Sequence, residues 1–127
     1  MRIEKITFNK EAEMTAYLLD QSPEFNNIDT RPAVLIFPGG GYFFTSDREA
    51  EPIAMAYLAE GFNTFVLRYS VGEKSSFKAA LSDAEEAIKQ IRENAKEWHT
   101  DPEKIGVIGF SAGAHLGAAL GTMATTR

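Results

Sequence analysis

The order of strand-like and helix-like segments after residue 32 constrains the fold of this chain most strongly. Strand patterns cover residues 33–37, 63–69 and 105–110, and the first is an unbroken apolar run of the kind that is buried on both faces of a sheet. Apolar residues at helical spacing lie between these segments, up to Gly61 in the first connection and over 77–98 in the second. Strand-helix-strand units require right-handed crossovers, which make neighbouring strands parallel. We therefore predict an α/β fold, a three-layer sandwich with a mostly parallel sheet and helices on both faces.

Shorter patterns complete this outline. Residues 5–9 and 14–20 have the composition of two early strands, and residues 112–120 can continue from the third later strand as a helix of small residues. Residues 46–49 have the spacing of a capping box, so we expect a helix to begin there. Pro52 is expected to kink or restart that helix.

Composition excludes several classes of function. The 127 residues fit one domain, the net charge of -5 is spread over scattered acids, and no basic run could follow a phosphate backbone. Cysteine is absent and the imidazoles are those of His99 and His115, so we expect neither a metal site nor a cofactor. No apolar segment has the length of a membrane span and the N-terminus lacks an export pattern, so we expect a cytoplasmic protein that binds neither nucleic acid nor membrane.

Residues 109–113 match the motif G-x-S-x-G where that motif functions, between a buried strand and a helix. The chain must reverse sharply there, and the glycines two before and two after Ser111 leave no Cβ to clash with the neighbouring strand and helix. The backbone N–H of Ala112, at the first turn of the helix, is directed into the same space as the serine. We interpret Ser111 as a nucleophile and Ala112 as a donor to an oxyanion. A glycine-rich turn without catalysis is the alternative.

Three consecutive glycines, Gly39, Gly40 and Gly41, follow the central strand. Their backbone N–H groups can approach a ligand with no side chain in the way, as an oxyanion hole requires. A flexible turn is one alternative, and a phosphate-binding loop is another, although no Lys followed by Ser or Thr comes after the glycines. Because the glycine loop and the serine turn occur in the order that a serine hydrolase needs, the pair favours an oxyanion hole over these alternatives.

The two motifs, Pro-Gly-Gly-Gly-Tyr at 38–42 and Gly-Phe-Ser-Ala-Gly-Ala-His-Leu at 109–116, are similar to those of the bacterial esterase/lipase branch of the α/β-hydrolase superfamily, which includes acetyl-xylan-esterase-like carbohydrate esterases. The resemblance covers nearly the whole chain. It implies that residues 1–127 are the N-terminal part of a single α/β-hydrolase domain. It also implies hydrolysis of small acyl esters, acetylated sugars among them, through an acyl-enzyme on Ser111. The oxyanion hole that it implies consists of the N–H groups of Ala112 and of Gly40 or Gly41. Pro38 stands where related lipases often have His, a change that backbone donors tolerate.

Three aromatic residues, Tyr42, Phe43 and Phe44, follow the glycines. Tyr42 and Phe43 are candidates for shaping an acyl or sugar pocket. Packing in the core is the other interpretation, and the sequence leaves both open.

The sequence offers no acid and no well-placed histidine for a catalytic triad. The superfamily order is Ser, then Asp or Glu, then His, and no Asp or Glu follows Ser111. His115 comes one turn along the predicted helix, where its side chain follows the helix surface. His99 precedes the strand that leads to the serine and is expected about 20 Å away, at about 3.3 Å per residue. We therefore expect little activity from the isolated chain.

Other functions stay open at this point. A non-catalytic remnant that serves as a binding or assembly module and a peptidase of the same superfamily both fit the motifs. A nucleotide-binding fold fits less well, because Gly106, Gly109 and Gly113 do not give G-x-G-x-x-G. The strand at 105–110 would present an exposed apolar edge, from which we expect a homo-oligomer.

Overall fold

The computed structural model describes residues 1–9, 12–20, 22, 30–39, 45–69, 77–110 and 113. The described strands are β1 (Arg2–Asn9), β2 (Ala12–Leu18), β3 (Arg31–Phe37), β4 (Asn63–Arg68) and β5 (Thr100–Gly109). The described α-helices are α1 (Glu51–Ala59) and α2 (Phe77–Glu93), and a short 3₁₀ helix, Asp47–Glu49, precedes α1. The helix predicted over 112–120 lies outside the described residues.

The described strands form one mixed sheet in the order β1-β2-β4-β3-β5. β3 is parallel to both of its neighbours, β4 and β5, while β2 is antiparallel to β1 and β4. The apolar run at 33–37 predicts a strand near the centre of the sheet. β3 is an interior strand, the fourth of the five described, and it is the middle one of the three parallel strands. The parallel part positions the ends of β3, β4 and β5 at one edge of the sheet, where α/β proteins place their ligands.

Side chains alternate along β3 between two cores, one on each face of the sheet. Leu35 and Phe37 belong to the core beneath α2, whereas Val34 and Ile36 belong to the core beneath α1. All four are 5% exposed or less, as expected for a strand covered on both faces. The predicted three-layer sandwich is therefore confirmed.

The capping box predicted at residues 46–49 is wrong. Ser46 makes no side-chain capping hydrogen bond, and only the 3₁₀ helix follows it directly. α1 begins separately at Glu51 with a proline in its first turn, so Pro52 restarts the helix. The box fails because both of its groups are bound elsewhere: the Ser46 N–H donates to the Gly39 carbonyl, and the Glu49 carboxylate accepts from the Gly39 N–H.

The connection from α2 to β5 also differs from the sequence prediction. α2 ends at Glu93 rather than near Trp98, and β5 begins at Thr100, five residues before the predicted start. Asp101 and Pro102 indicated a turn, but they lie in an irregular part of the strand, where the register with β3 shifts between the Thr100 and Ile105 pairs. Proline is tolerated at such irregular positions.

Candidate active site

The two glycine motifs of the sequence meet at one edge of the sheet. Phe37, the last residue of β3, is the register partner of Gly109, the last residue of β5. The next residue, Phe110, donates its N–H to the Phe37 carbonyl over 3.1 Å. Since β3 and β5 run in the same direction and end side by side, the glycine loop and the serine motif begin next to each other.

The last glycine of the serine motif fits against β3 without room for a side chain. A Cβ on Gly113 would lie 2.1 Å from the Phe37 carbonyl oxygen and 2.9 Å from the Pro38 carbonyl oxygen. These are backbone atoms at the end of the central strand, so no rotamer change can relieve the clash. Gly113 also closes a tight turn by donating its N–H to the Phe110 carbonyl over 2.9 Å. Gly113, the last residue of the serine motif, is thus packed directly on the carbonyls of Phe37 and Pro38, where the glycine loop begins.

The predicted site residues themselves lie outside the described residues. They are the nucleophile Ser111, the oxyanion donors Gly40, Gly41 and Ala112, and the pocket candidates Tyr42 and Phe43. His115 and Phe44 also lie there. The structure describes the residues that flank both motifs, and these define the frame of the site.

The start of the glycine loop is held by three hydrogen bonds. The Gly39 N–H donates to Oε1 of Glu49 over 2.8 Å, and the Gly39 carbonyl accepts from the Ser46 N–H over 2.8 Å. The preceding carbonyl, that of Pro38, accepts from the buried hydroxyl of Tyr69. The amide of Gly39 is therefore engaged by Glu49, which leaves Gly40 and Gly41 as the loop amides to consider for an oxyanion.

The end of the loop is held by Arg68, the last residue of β4. Its guanidinium donates to the backbone carbonyl and to the hydroxyl of Thr45, both over 3.0 Å. It also pairs with the carboxylate of Asp47 at 2.8 Å. The guanidinium is about a third exposed, so we assign its importance to its backbone contact rather than to the energy of the ion pair.

Sequence reasoning did not identify Glu49, Arg68 or Tyr69 as residues of this site. The spacing of Glu49 from Ser46 predicts a capping box, and Arg68 and Tyr69 fit the end of a strand. One signal points to Arg68, because it is the single charge in the segment 63–69. Such a charge at the carboxyl end of a parallel strand lies at the edge where loops converge.

Beneath the start of α1, Tyr17 is 8% exposed in the core. Burial raises the pKa of its hydroxyl above the usual value of 10.0, and the negative charge of Glu51 raises that pKa further. Arg68 acts on the pKa in the opposite direction. This tyrosine is neutral at physiological pH, so it supports the packing of α1 rather than supplying a charge.

The described histidine is far from the serine motif, as predicted. His99 immediately precedes β5, and its carbonyl accepts from the N–H of Arg31, the first residue of β3. Arg31 and Thr100 pair at this end of the sheet, whereas Phe37 and Gly109 pair at the other. His99 therefore cannot serve as a base for Ser111 within the same chain.

Two further features bear on the class of function. Within the described ranges, neither helix has the combination of length and apolar character that a membrane crossing needs. The same ranges hold no group of three His, Asp or Glu side chains arranged to bind a metal ion.

Comparison with known proteins identifies the family. The BD-FAE family model matches residues 19–127. MGS-M1, an α/β-hydrolase enzyme from a Medee basin deep-sea metagenome library, is 57% identical, with a TM-score of 0.88 over 91% of this chain and 49% of its own. The carboxylesterase Cest-2923 from Lactobacillus plantarum WCFS1 is 37% identical, with a TM-score of 0.90 over 98% of this chain and 47% of its own.

Another relative is named for its action on a carbohydrate ester. An acetylxylan esterase from Xylanibacter ruminicola is 33% identical over 94 residues, which are 72% of this chain and 19% of that protein. The chain thus spans less than half the length of each of these relatives. Together with the sheet order and the two facing glycine motifs, these matches show that the chain belongs to the BD-FAE family of the α/β-hydrolase superfamily.

Proposed function

We propose that this chain carries the nucleophile and the oxyanion hole of a serine esterase. Ser111 is the nucleophile, and the backbone amides of Ala112 and of Gly40 or Gly41 bind the oxyanion. One observation carries the proposal: Gly113 packs without room for a Cβ on the carbonyls of Phe37 and Pro38. This contact supports a short distance between a serine in the G-x-S-x-G turn and amides of the glycine loop.

The proposed chemistry is acyl transfer through two tetrahedral intermediates. The Ser111 hydroxyl loses its proton to a general base and attacks the ester carbonyl, whose oxygen becomes negatively charged. Backbone N–H groups stabilise that charge, the alcohol leaves with a proton, and water then releases the acid from the acyl-enzyme. The described histidine, His99, lies at the other end of the sheet, and the Glu49 carboxylate is bound to the Gly39 N–H, so the proposal assigns the general base to neither of them.

The proposed substrates are small acyl esters, including acetylated sugars. The acetylxylan esterase among the relatives supports the sugar ester, and the carboxylesterase supports small acyl groups. Tyr42 and Phe43 follow the glycines directly and are the proposed lining of the acyl or sugar pocket. Aromatic faces are suited to both roles because they bury a large area against apolar groups and sugar rings.

A fluorophosphonate probe tests the assignment of the nucleophile. The test uses a longer chain that contains residues 1–127 together with a general base, called the full-length protein below. It should be labelled and should hydrolyse p-nitrophenyl acetate, whereas its Ser111→Ala variant should do neither. Release of acetate from acetylated xylo-oligosaccharides tests the sugar ester separately. Equal labelling of Ser111→Ala and wild type contradicts the proposal.

We also propose that residues 1–127, expressed alone, hydrolyse esters weakly and associate through β5. Among the described strands β5 pairs only with β3, and Val107 on it is 37% exposed. An open strand edge with apolar side chains pairs readily with another chain. Size-exclusion chromatography should therefore give an oligomer or an aggregate, and a stable monomer would count against this part of the proposal.

A further inference from the structure

The peptide group that joins Pro38 to Gly39 is held at both of its polar ends. Its carbonyl oxygen accepts from the Tyr69 hydroxyl, and its N–H donates to Oε1 of Glu49 over 2.8 Å. Tyr69, Pro38 and Gly39 are all buried, and Glu49 is partly buried. Holding both ends fixes the rotation of this peptide plane.

The contact from Glu49 is not explained by local structure. Glu49 ends a 3₁₀ helix ten positions after Gly39, and a carboxylate there could instead have reached back to cap its own helix. It binds the Gly39 amide through a charge-assisted hydrogen bond, which is stronger than one between neutral groups. A carboxylate in contact with a developing oxyanion would repel it. The Glu49 carboxylate instead binds the Gly39 N–H, so it is suited to holding the loop and not to contacting the substrate.

We propose that Glu49 is a positioning residue of the oxyanion hole, an inference that rests on the proposed function. With the Gly39 N–H bound to Glu49 and the Gly39 carbonyl bound to the Ser46 N–H, both polar groups of this residue are fixed. In a trans peptide the N–H points opposite to the preceding carbonyl, so the fixed Gly39 carbonyl sets the direction in which the next amide donates. Glu49 fixes the peptide plane before Gly39 and the Ser46 N–H fixes the plane after it, so the two contacts together set the aim of the next amide. Loss of Glu49 should therefore weaken binding of the transition state more than binding of the substrate.

The test compares Glu49→Gln with Glu49→Ala in the full-length protein. Glutamine keeps an oxygen that accepts from the Gly39 N–H, whereas alanine does not. We expect the kcat for p-nitrophenyl acetate to fall about 10-fold or more in Glu49→Ala, with KM changed less than about 2-fold, because a misdirected donor weakens oxyanion binding. Glu49→Gln should keep kcat within about 3-fold of wild type. Affinity for a trifluoromethyl ketone, whose adduct carries an oxyanion, should fall in parallel with kcat.

The control is Glu60→Ala, which removes an exposed carboxylate just after α1 and should leave kcat unchanged. If Glu49→Ala does not fold, Glu49→Met replaces it, because methionine keeps the bulk without a strong acceptor. A kcat within 2-fold of wild type in the folded Ala or Met variant overturns the inference, as does an equal loss in the Gln variant. An active wild type labelled at Ser111 leaves the proposed function standing in both cases, whereas an inactive, unlabelled wild type overturns both proposals.

Discussion

Gly113 and Phe37 are in such close contact that a Cβ on the glycine would lie 2.1 Å from the Phe37 carbonyl oxygen. Gly113→Ala must therefore move either the serine turn or the end of β3. We expect the free energy of unfolding to fall by about 1 to 3 kcal/mol, as for other overpacked sites. Fluorophosphonate labelling of the folded protein should slow as well.

Gly106→Ala is the matched control for this substitution. Gly106 lies on β5, and among the described residues its Cβ would meet only the Ala33 carbonyl oxygen, at an ordinary 3.9 Å. Chemical denaturation should show a much smaller change than for Gly113→Ala. Equal destabilisation by the two variants would contradict the role assigned to the contact.

One substitution, Ser46→Pro, removes the hydrogen bond from the Ser46 N–H to the Gly39 carbonyl and changes little else. Ser46 has a φ of -70°, which proline adopts without strain, and its side chain makes no capping hydrogen bond. Ser46→Pro should lower the unfolding free energy by about 1 kcal/mol and reduce kcat in the full-length protein. Ser46→Ala keeps the N–H and should match wild type in steady-state assays, so a kcat for Ser46→Pro equal to that of Ser46→Ala would argue against a role for this bond.

Asn63 joins three segments at the end of the sheet opposite the candidate site. Its side chain, fully buried, accepts from the Leu19 N–H and donates to the Trp98 carbonyl and to the Thr100 hydroxyl. Asn63→Ala removes this acceptor from the Leu19 N–H and one donor from the Trp98 carbonyl and the Thr100 hydroxyl, which keep their bond to each other. We expect a loss of about 1 to 3 kcal/mol in unfolding free energy. Trp98 is the single tryptophan, and its fluorescence can follow urea unfolding.

The control for Asn63 is Asn94→Ala, which removes a partly buried amide that bonds within its own helical turn. Its effect should be smaller, about 0.5 kcal/mol. Because Asn63 is remote from the serine turn, the kcat of folded Asn63→Ala should equal that of wild type. A fall in kcat without a fall in stability would show that this assignment is wrong.

The raised pKa of Tyr17 predicts that the free energy of unfolding falls in alkaline solution. Its raised pKa in the folded protein means that folding favours the neutral hydroxyl, so its contribution is fully present below about pH 10 and is lost as the pH rises through the folded pKa. Tyr17→Phe should reduce the loss of unfolding free energy above pH 10. Glu51→Gln should lower the pKa of Tyr17, which ultraviolet titration of tyrosinate measures; an unchanged titration would exclude Glu51 as a cause.

Local patterns predicted the parts of this fold that depend on local physics. The apolar run at 33–37 could only be a strand covered on both faces, and the glycines around Ser111 predicted a sharp turn whose last member, Gly113, indeed has no room for a Cβ. The partner of Glu49 could not be predicted in this way. Its spacing from Ser46 fits a capping box, and only the return of the chain at Gly39 offers a competing donor.

The beginning of β5 was missed for a related reason. Asp101 and Pro102 have the composition of a turn, and Asp101 does accept a hydrogen bond from the Glu103 N–H. The sheet nevertheless includes them, because pairing of Arg31 with Thr100 extends the strand across the irregularity. The roles of Ser111, Gly40, Gly41 and Ala112 stay predictions that the labelling and kinetic experiments test.

The hydrogen bond from the Ser46 N–H to the Gly39 carbonyl joins the two ends of the segment 40–45. A segment inserted between Gly39 and Ser46 would therefore begin and end at two residues that are hydrogen-bonded to each other. Glu49 holds the Gly39 end, and Arg68 holds the other end through Thr45. The entropy of closing such a segment grows slowly with its length. Laboratory libraries that vary residues 42–44 in sequence and length, and keep Gly40 and Gly41 as the proposed oxyanion donors, can therefore explore new substrate preferences while the ends of β3 and β4 keep their positions.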